Sequence, residues 1–270
     1  MGRHAHPASQ VESTMIENPY DYPQYYDLIF AADWRQERDF LLDCFQTYAR
    51  RRVQRVFEPA CGTGRLLLKL AQAGLNVSGN DLNAKAVGFC NRRLLRYGFL
   101  ATAEVGDMSD FRLRRKVDAG FNLINSFRHL GSESAAAAHL ECMAAAIRPG
   151  GLYVLGLHLT PTSIAPQEHE SWSARRGSLK VVSTLWTIEL NTAQRAERVG
   201  MAYDVTTPAR SFRLESEFTF RTYTARQMLS LLKKVPQFEI AGVHDFGYCV
   251  DSPVRLTSAS EDVIFVLRRK

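Results

Sequence analysis

Between Val53 and Leu159 the sequence switches regularly between short apolar runs and stretches whose apolar residues recur at helical spacing. Val53–Glu58 has strand character, and Arg65–Ala73 places Leu66, Leu67, Leu70 and Ala71 on one helical face before Gly74. Leu75–Asp81 is a second strand, and 84–97 a helix that Asn83 can cap and Gly98 can stop. Strands at 100–105, 117–124 and 152–159 follow, with an Ala-rich helix at 133–147 that ends at R-P-G-G. Such alternation restricts the chain to a mostly parallel sheet covered by helices on both faces, with right-handed crossovers.

The flanks read differently. Residues 1–18 are polar and aperiodic, as in a flexible tail. Five aromatic residues follow between Tyr20 and Phe30, then a helical pattern over 34–49. After Leu159 a polar linker is expected over 160–176. Three stretches with period two come next, around Trp186, Tyr203 and Phe220, and predict an antiparallel meander with one dry face. Thr224 and Gln227 are spaced as a capping box ahead of a last helix. Strands at 238–246 and 263–267 complete the chain. The expectation is an α/β protein with a doubly wound, mostly parallel seven-stranded sheet whose last strand is antiparallel, plus an inserted three-stranded antiparallel meander. One domain would comprise 19–160 and 224–270, interrupted by 161–223.

Composition narrows the function classes. In 270 residues, 46% are hydrophobic and 23% charged, an ordinary globular balance. The longest apolar runs have strand length, so no membrane-spanning helix is expected. The formal net charge of +6 permits an anionic partner without requiring one. Five cysteines with no C-x-x-C pair argue against a disulfide framework or structural zinc site and fit reduced thiols in the cytoplasm. The start M-G-R-H-A-H lacks the apolar segment of a secretory leader.

The sharpest local feature is V-F-E-P-A-C-G-T-G-R-L at residues 56–66, at the first strand-to-helix turn. Gly62 and Gly64 allow a tight turn and close backbone approach, and a helix N-terminus behind them favours an anionic group. A dinucleotide fingerprint needs a third glycine where this chain has Leu67. Glu58 before the glycines would repel phosphates but could bind an ammonium. A ligand with both ammonium and carboxylate fits better.

E-P-A-C-G-T-G, with V-S-G-N-D-L-N after the second strand, V-G-D-M-S-D-F after the third, F-N-L-I-N-S-F-R-H-L after the fourth and R-P-G-G before the fifth, resembles class I S-adenosylmethionine-dependent methyltransferases, in their small-molecule branch of glycine and amino-sugar N-methyltransferases. The resemblance implies S-adenosylmethionine as cofactor, with S-adenosylhomocysteine as product. It implies that Glu58, Ala60, Gly62 and Gly64 form the first binding turn. Asp81 and Leu82 would take the ribose, Asp107 and Met108 the adenine, and Asn125 would stand at the active-site strand. By the same likeness the N-terminal segment folds over the cofactor, with Tyr26 near the sulfonium and Arg35 on the methionine carboxylate. The meander would wall the acceptor pocket and contribute to a homodimer.

Methyl transfer from a sulfonium is an in-line displacement that needs alignment and a free lone pair on the acceptor, not a metal. His158 and His129 are the base candidates, and Tyr26 is the third catalytic candidate. The sequence Asn125-Ser126-Phe127-Arg128 departs from the N-P-P-Y pattern that enzymes acting on base amino groups resemble, which argues against nucleic acid. The expected acceptor is a small-molecule amine or hydroxyl. RNA or protein methylation, and a non-catalytic cofactor-binding subunit, are the alternatives.

Overall fold

The computed structural model describes residues 14–30, 32, 34–165 and 169–270. In chain order these form β1 (Thr14–Ile16), α1 (Pro23–Ile29), α2 (Trp34–Tyr48), β2 (Arg55–Pro59), α3 (Arg65–Gln72), β3 (Asn76–Asp81), α4 (Ala84–Arg96), β4 (Ala103–Val105), β5 (Val117–Asn122), α5 (Glu133–Ala146) and β6 (Ile147–His158). Then follow β7 (His169–Arg176), β8 (Leu179–Asn191), β9 (Ala196–Thr206), β10 (Ser211–Arg221), α6 (Ala225–Lys233), β11 (Phe238–His244) and β12 (Asp262–Arg269).

Seven strands make one sheet in the order β11-β12-β6-β5-β2-β3-β4. β2, β3, β4, β5 and β6 run parallel, while β12 is antiparallel to both of its neighbours. The sheet is doubly wound, as the alternation predicts. Phe40 and Leu41 of α2, Leu67 and Leu70 of α3 and Cys90 of α4 share one core with the sheet. Met143 of α5 and Met228 and Leu231 of α6 build another with Tyr153 and Phe265. Leu67 and Leu70 are fully buried, and each such side chain contributes about 2 kcal/mol by leaving water.

The helix ends follow the sequence signals. The Asn83 side chain accepts from the amides of Lys85 and Ala86 at the start of α4. Thr224 and Gln227 form the reciprocal capping box of α6.

The second sheet differs from the expected three-stranded meander. Its order is β1-β10-β9-β8-β7, four antiparallel strands with β1 added in parallel along β10. β7 occupies part of the stretch that reads as a linker, because Trp172 and Ala174 are its only strong apolar residues and polar ones surround them. β1 falls in the segment that reads as a tail. Its pairing with Arg213–Glu215 is made by backbone, which side-chain patterning does not reveal. Residues 1–13 of that expected tail lie outside the described residues. Met201, Tyr203 and Leu214 of this sheet pack with Leu28 and Ile29 of α1 into a third core.

All five cysteines are free thiols. Among the described residues no helix is long and apolar enough to cross a membrane.

Candidate active site

The carboxyl ends of β2, β3 and β5 open into a cavity of about 590 Å³, roofed by α1 and walled by the second sheet. This is where ligands bind in open parallel sheets. The turn after β2 is backbone-determined. Ala60, Gly62 and Gly64 all have left-handed conformations, with φ of 51°, 51° and 65°. Ala60 and Gly62 line the cavity, as does Thr63. Gly64 does not, and its need for glycine comes from packing. A Cβ there would sit 2.2 Å from Cys90 Sγ on α4, so the close seating of α4 requires this second glycine.

Asp81, at the end of β3, holds this turn from the side. One carboxylate oxygen accepts from the Gly62 amide and the other from the Asn83 amide, both at 2.8 Å. Each oxygen keeps a further lone pair, so the carboxylate can also accept from two vicinal hydroxyls. Burial raises its pKa, while those two amides draw it back. Glu58 lies beneath the turn, not among the lining residues, and its Oε2 is buried without a partner. Burial pushes its carboxyl well above the usual range, against the pull of Arg65. A buried carboxylate oxygen with no donor is costly, and an ammonium arriving at the turn would satisfy it. The left-handed turn, the unpartnered Glu58 and the open lone pairs of Asp81 together fit S-adenosylmethionine.

Other sequence candidates divide. Leu82, Met108, Asn125, Tyr26, His129 and His158 all line the cavity. Asp107 does not. Its Oδ1 accepts from the amide and hydroxyl of Ser109 at 2.7 and 2.8 Å, closing a loop. Arg35 does not either. It is exposed on α2 with its guanidinium 5.1 Å over the Trp34 ring, because Phe40, Leu41 and Cys44 claim the inward face of that helix.

Phe30, the last of the five N-terminal aromatics noted in the sequence, lies on the roof, and Glu170 and Trp172 on β7, in the stretch that reads as a linker, complete the walls. The signal that could have found Glu170 and Trp172 is the weak period two of 169–176. Tyr20, Tyr26 and Phe30 form an aromatic lining, with Tyr26 4.5 Å from Phe30 and 5.7 Å from Tyr20 between ring centres. Such π faces suit a cationic sulfonium. Burial pushes the Tyr26 phenol up to about 12, with Arg65 opposing, so it stays protonated at neutral pH. His129 is wedged between Phe218, Phe220 and Tyr20, and burial pushes it down to about 4, aided by Arg128. It is a neutral imidazole at neutral pH, with Nε2 3.4 Å from the Tyr20 hydroxyl.

The roof is latched to the binding turn. The Thr63 hydroxyl donates to Asp27 of α1 at 3.1 Å, Asp27 pairs with Arg93 of α4, and Arg93 donates to the Thr63 carbonyl at 3.2 Å. Asn83 donates to Asp21 at 2.7 Å. Asp27→Ala is expected to cost about 3 kcal/mol, as losing one partner of a buried pair does. Scanning calorimetry should record a melting point lower by roughly 6–12 °C. It should also show a smaller cofactor-induced rise than in the parent chain. An unchanged rise would detach the latch from the binding turn.

Residues 56–151 match the family described as the methyltransferase domain. A dTDP-3-amino-3,6-dideoxy-α-D-glucopyranose N,N-dimethyltransferase of Streptomyces fradiae is 27% identical over 177 residues, 64% of this chain and 68% of that protein. A dTDP-3-amino-3,4,6-trideoxy-α-D-glucopyranose N,N-dimethyltransferase of Streptomyces venezuelae is 25% identical over 180 residues, 66% of this chain and 74% of that protein. Among solved structures, the fold is similar to an S-adenosylmethionine-bound amino pentose methyltransferase from Micromonospora echinaspora involved in calicheamicin biosynthesis. That similarity has a TM-score of 0.71 and 21% identity, and covers 95% of this chain and 98% of that one.

Proposed function

We propose that this methyltransferase, with S-adenosylmethionine as donor, methylates the amino group of an amino sugar. The observation that carries the proposal is the continuity of one cavity from the Gly62–Asp81 turn to the neutral His129. The curated relatives are both amino-sugar N,N-dimethyltransferases, which supports the same acceptor class.

The donor supplies an activated methyl group on a positively charged sulfur, so the chain's task is alignment and control of protons. An amine reacts only through a free lone pair. His129, held neutral by its aromatic surroundings, accepts an N–H of the incoming amine and leaves that lone pair directed elsewhere. Tyr26 supplies a protonated hydroxyl and a ring face at the same wall.

Incubation of the purified chain with dTDP-3-amino-3,6-dideoxy-α-D-glucopyranose, related free amino sugars and isotope-labelled donor tests the proposal. Labelled methyl on the sugar nitrogen, read by mass spectrometry, is the expected result. Transfer confined to phenols, carboxylic acids or RNA would overturn it.

A further inference from the structure

His158 and Asp262 face each other across the β6–β12 pair, in register and antiparallel. Side chains directly opposite in such a ladder lie on one face. Here the imidazole Nδ1 and the carboxylate Oδ1 are 2.5 Å apart. The ring is fixed further by the edge-on Phe246, with centres 5.2 Å apart, and the His158 amide donates to Asn125 Oδ1 at 3.0 Å. His158 lines both the main cavity and a smaller adjoining chamber of about 60 Å³.

An ionised carboxylate only accepts hydrogen bonds. It therefore holds the neutral ring in the tautomer with its proton on Nδ1, and Nε2 carries the lone pair. The pair is also partly open to solvent, with side-chain exposures of 30% and 49%. A proton taken at Nε2 has a counter-charge beside it and a route out. His129 has neither, since its neighbours are aromatic rings and the Arg128 cation.

This difference matters if the acceptor is an amine, the reading on which the inference rests. Transfer to a primary amine yields a methylammonium with no lone pair, inert to a second donor until it loses a proton. We propose that the His158–Asp262 pair resets the amine between two methyl transfers. The N–H bond breaks, its electrons stay on nitrogen, and the proton passes to His158 Nε2; the imidazolium then releases a proton to water. His158 is the catalytic base, and Asp262 is a positioning residue that fixes its tautomer.

Two measurements test this. Long-range proton–nitrogen NMR on the ¹⁵N-labelled chain reads the His158 tautomer without any substrate. The Nδ1–H form is expected in the parent chain and should give way to a tautomer mixture in Asp262→Asn. With excess donor and the amino sugar named above, mass spectrometry reads the monomethyl to dimethyl ratio. Asp262→Asn is expected to raise that ratio about tenfold, less than the roughly 100-fold or more that loss of the base itself would cost, because His158 is still present, and Asp262→Glu should restore it in part. A dominant Nε2–H tautomer in the parent chain overturns the proposal whatever the acceptor. An unchanged product ratio in Asp262→Asn also overturns it, because the amine is then reset in bulk water. A parent chain that leaves all amino sugars unmethylated, yet keeps the Nδ1–H tautomer, refutes the amine reading, and the reset role falls with it.

Discussion

Asp81→Ala is expected to weaken binding of S-adenosylmethionine about 100-fold while the chain stays folded. The carboxylate has two tasks. It ties the Gly62 and Asn83 amides at 2.8 Å each, and its remaining lone pairs face the cavity. Hydrogen bonds to a charged group contribute about 1.5–3 kcal/mol apiece, and each 1.4 kcal/mol is a tenfold change in affinity. Loss of two such bonds thus corresponds to roughly 3 kcal/mol and two decades in Kd. Asp81→Asn separates the tasks. It keeps the shape but turns an NH₂ toward one of the two amides, so the turn is disturbed even before ligand arrives. Isothermal calorimetry with donor and with S-adenosylhomocysteine checks both variants. Affinity within threefold of the parent chain for Asp81→Ala would remove this residue from the site.

Mild acid should destabilise the fold through two histidines. Burial pushes both His129 and His139 from the ordinary 6.5 down to about 4. His139 is enclosed between the Met108 carbonyl at 2.8 Å and the Tyr153 hydroxyl at 2.7 Å. Between those two values the unfolded chain takes up protons that the folded chain refuses. The stabilisation is therefore complete above about pH 6.5 and is lost progressively as pH falls towards 4. At pH 5 each histidine accounts for roughly 2 kcal/mol of that loss, at about 1.4 kcal/mol per pKa unit. The carboxylates of Asp118 and Glu133, held below their usual 3.8 and 4.5, act in a separate and lower window. In denaturant melts from pH 7 to pH 5 these two histidines should together remove about 4 kcal/mol, offset in part by Glu58, which takes up a proton more readily in the folded chain. His139→Gln, less stable at pH 7, should lose about 2 kcal/mol less than the parent chain over the same range. Equal slopes in the two proteins would exclude His139 as a source.

Much of the cofactor half was legible because its signals are local. A left-handed turn needs Gly62 and Gly64, an amphipathic helix needs Leu66, Leu67 and Leu70, and Asn83 caps whatever helix follows it. Asp81 and Met108 were placed by the strand ends they follow. Two candidates lie off the cavity lining. Gly64 has the backbone of a ligand turn but serves Cys90 of α4. Arg35 has the charge for a carboxylate but sits on the wet face of α2. Asp107 closes its own loop through Ser109, and a loop-closing aspartate and an adenine acceptor look alike in sequence.

Periodicity and backbone preference belong to a few consecutive residues, and they alone determined the parallel sheet, its helices and the left-handed turn after β2. The opposite wall of the cavity depends instead on contacts between distant segments. His158 meets Asp262 across 104 residues. Glu170 and Trp172 reach the cavity only because β7 joins a sheet whose far edge is sealed by β1. Only packing decided those meetings, since a side chain's partner across a sheet is set by strand order and register, which no local pattern encodes.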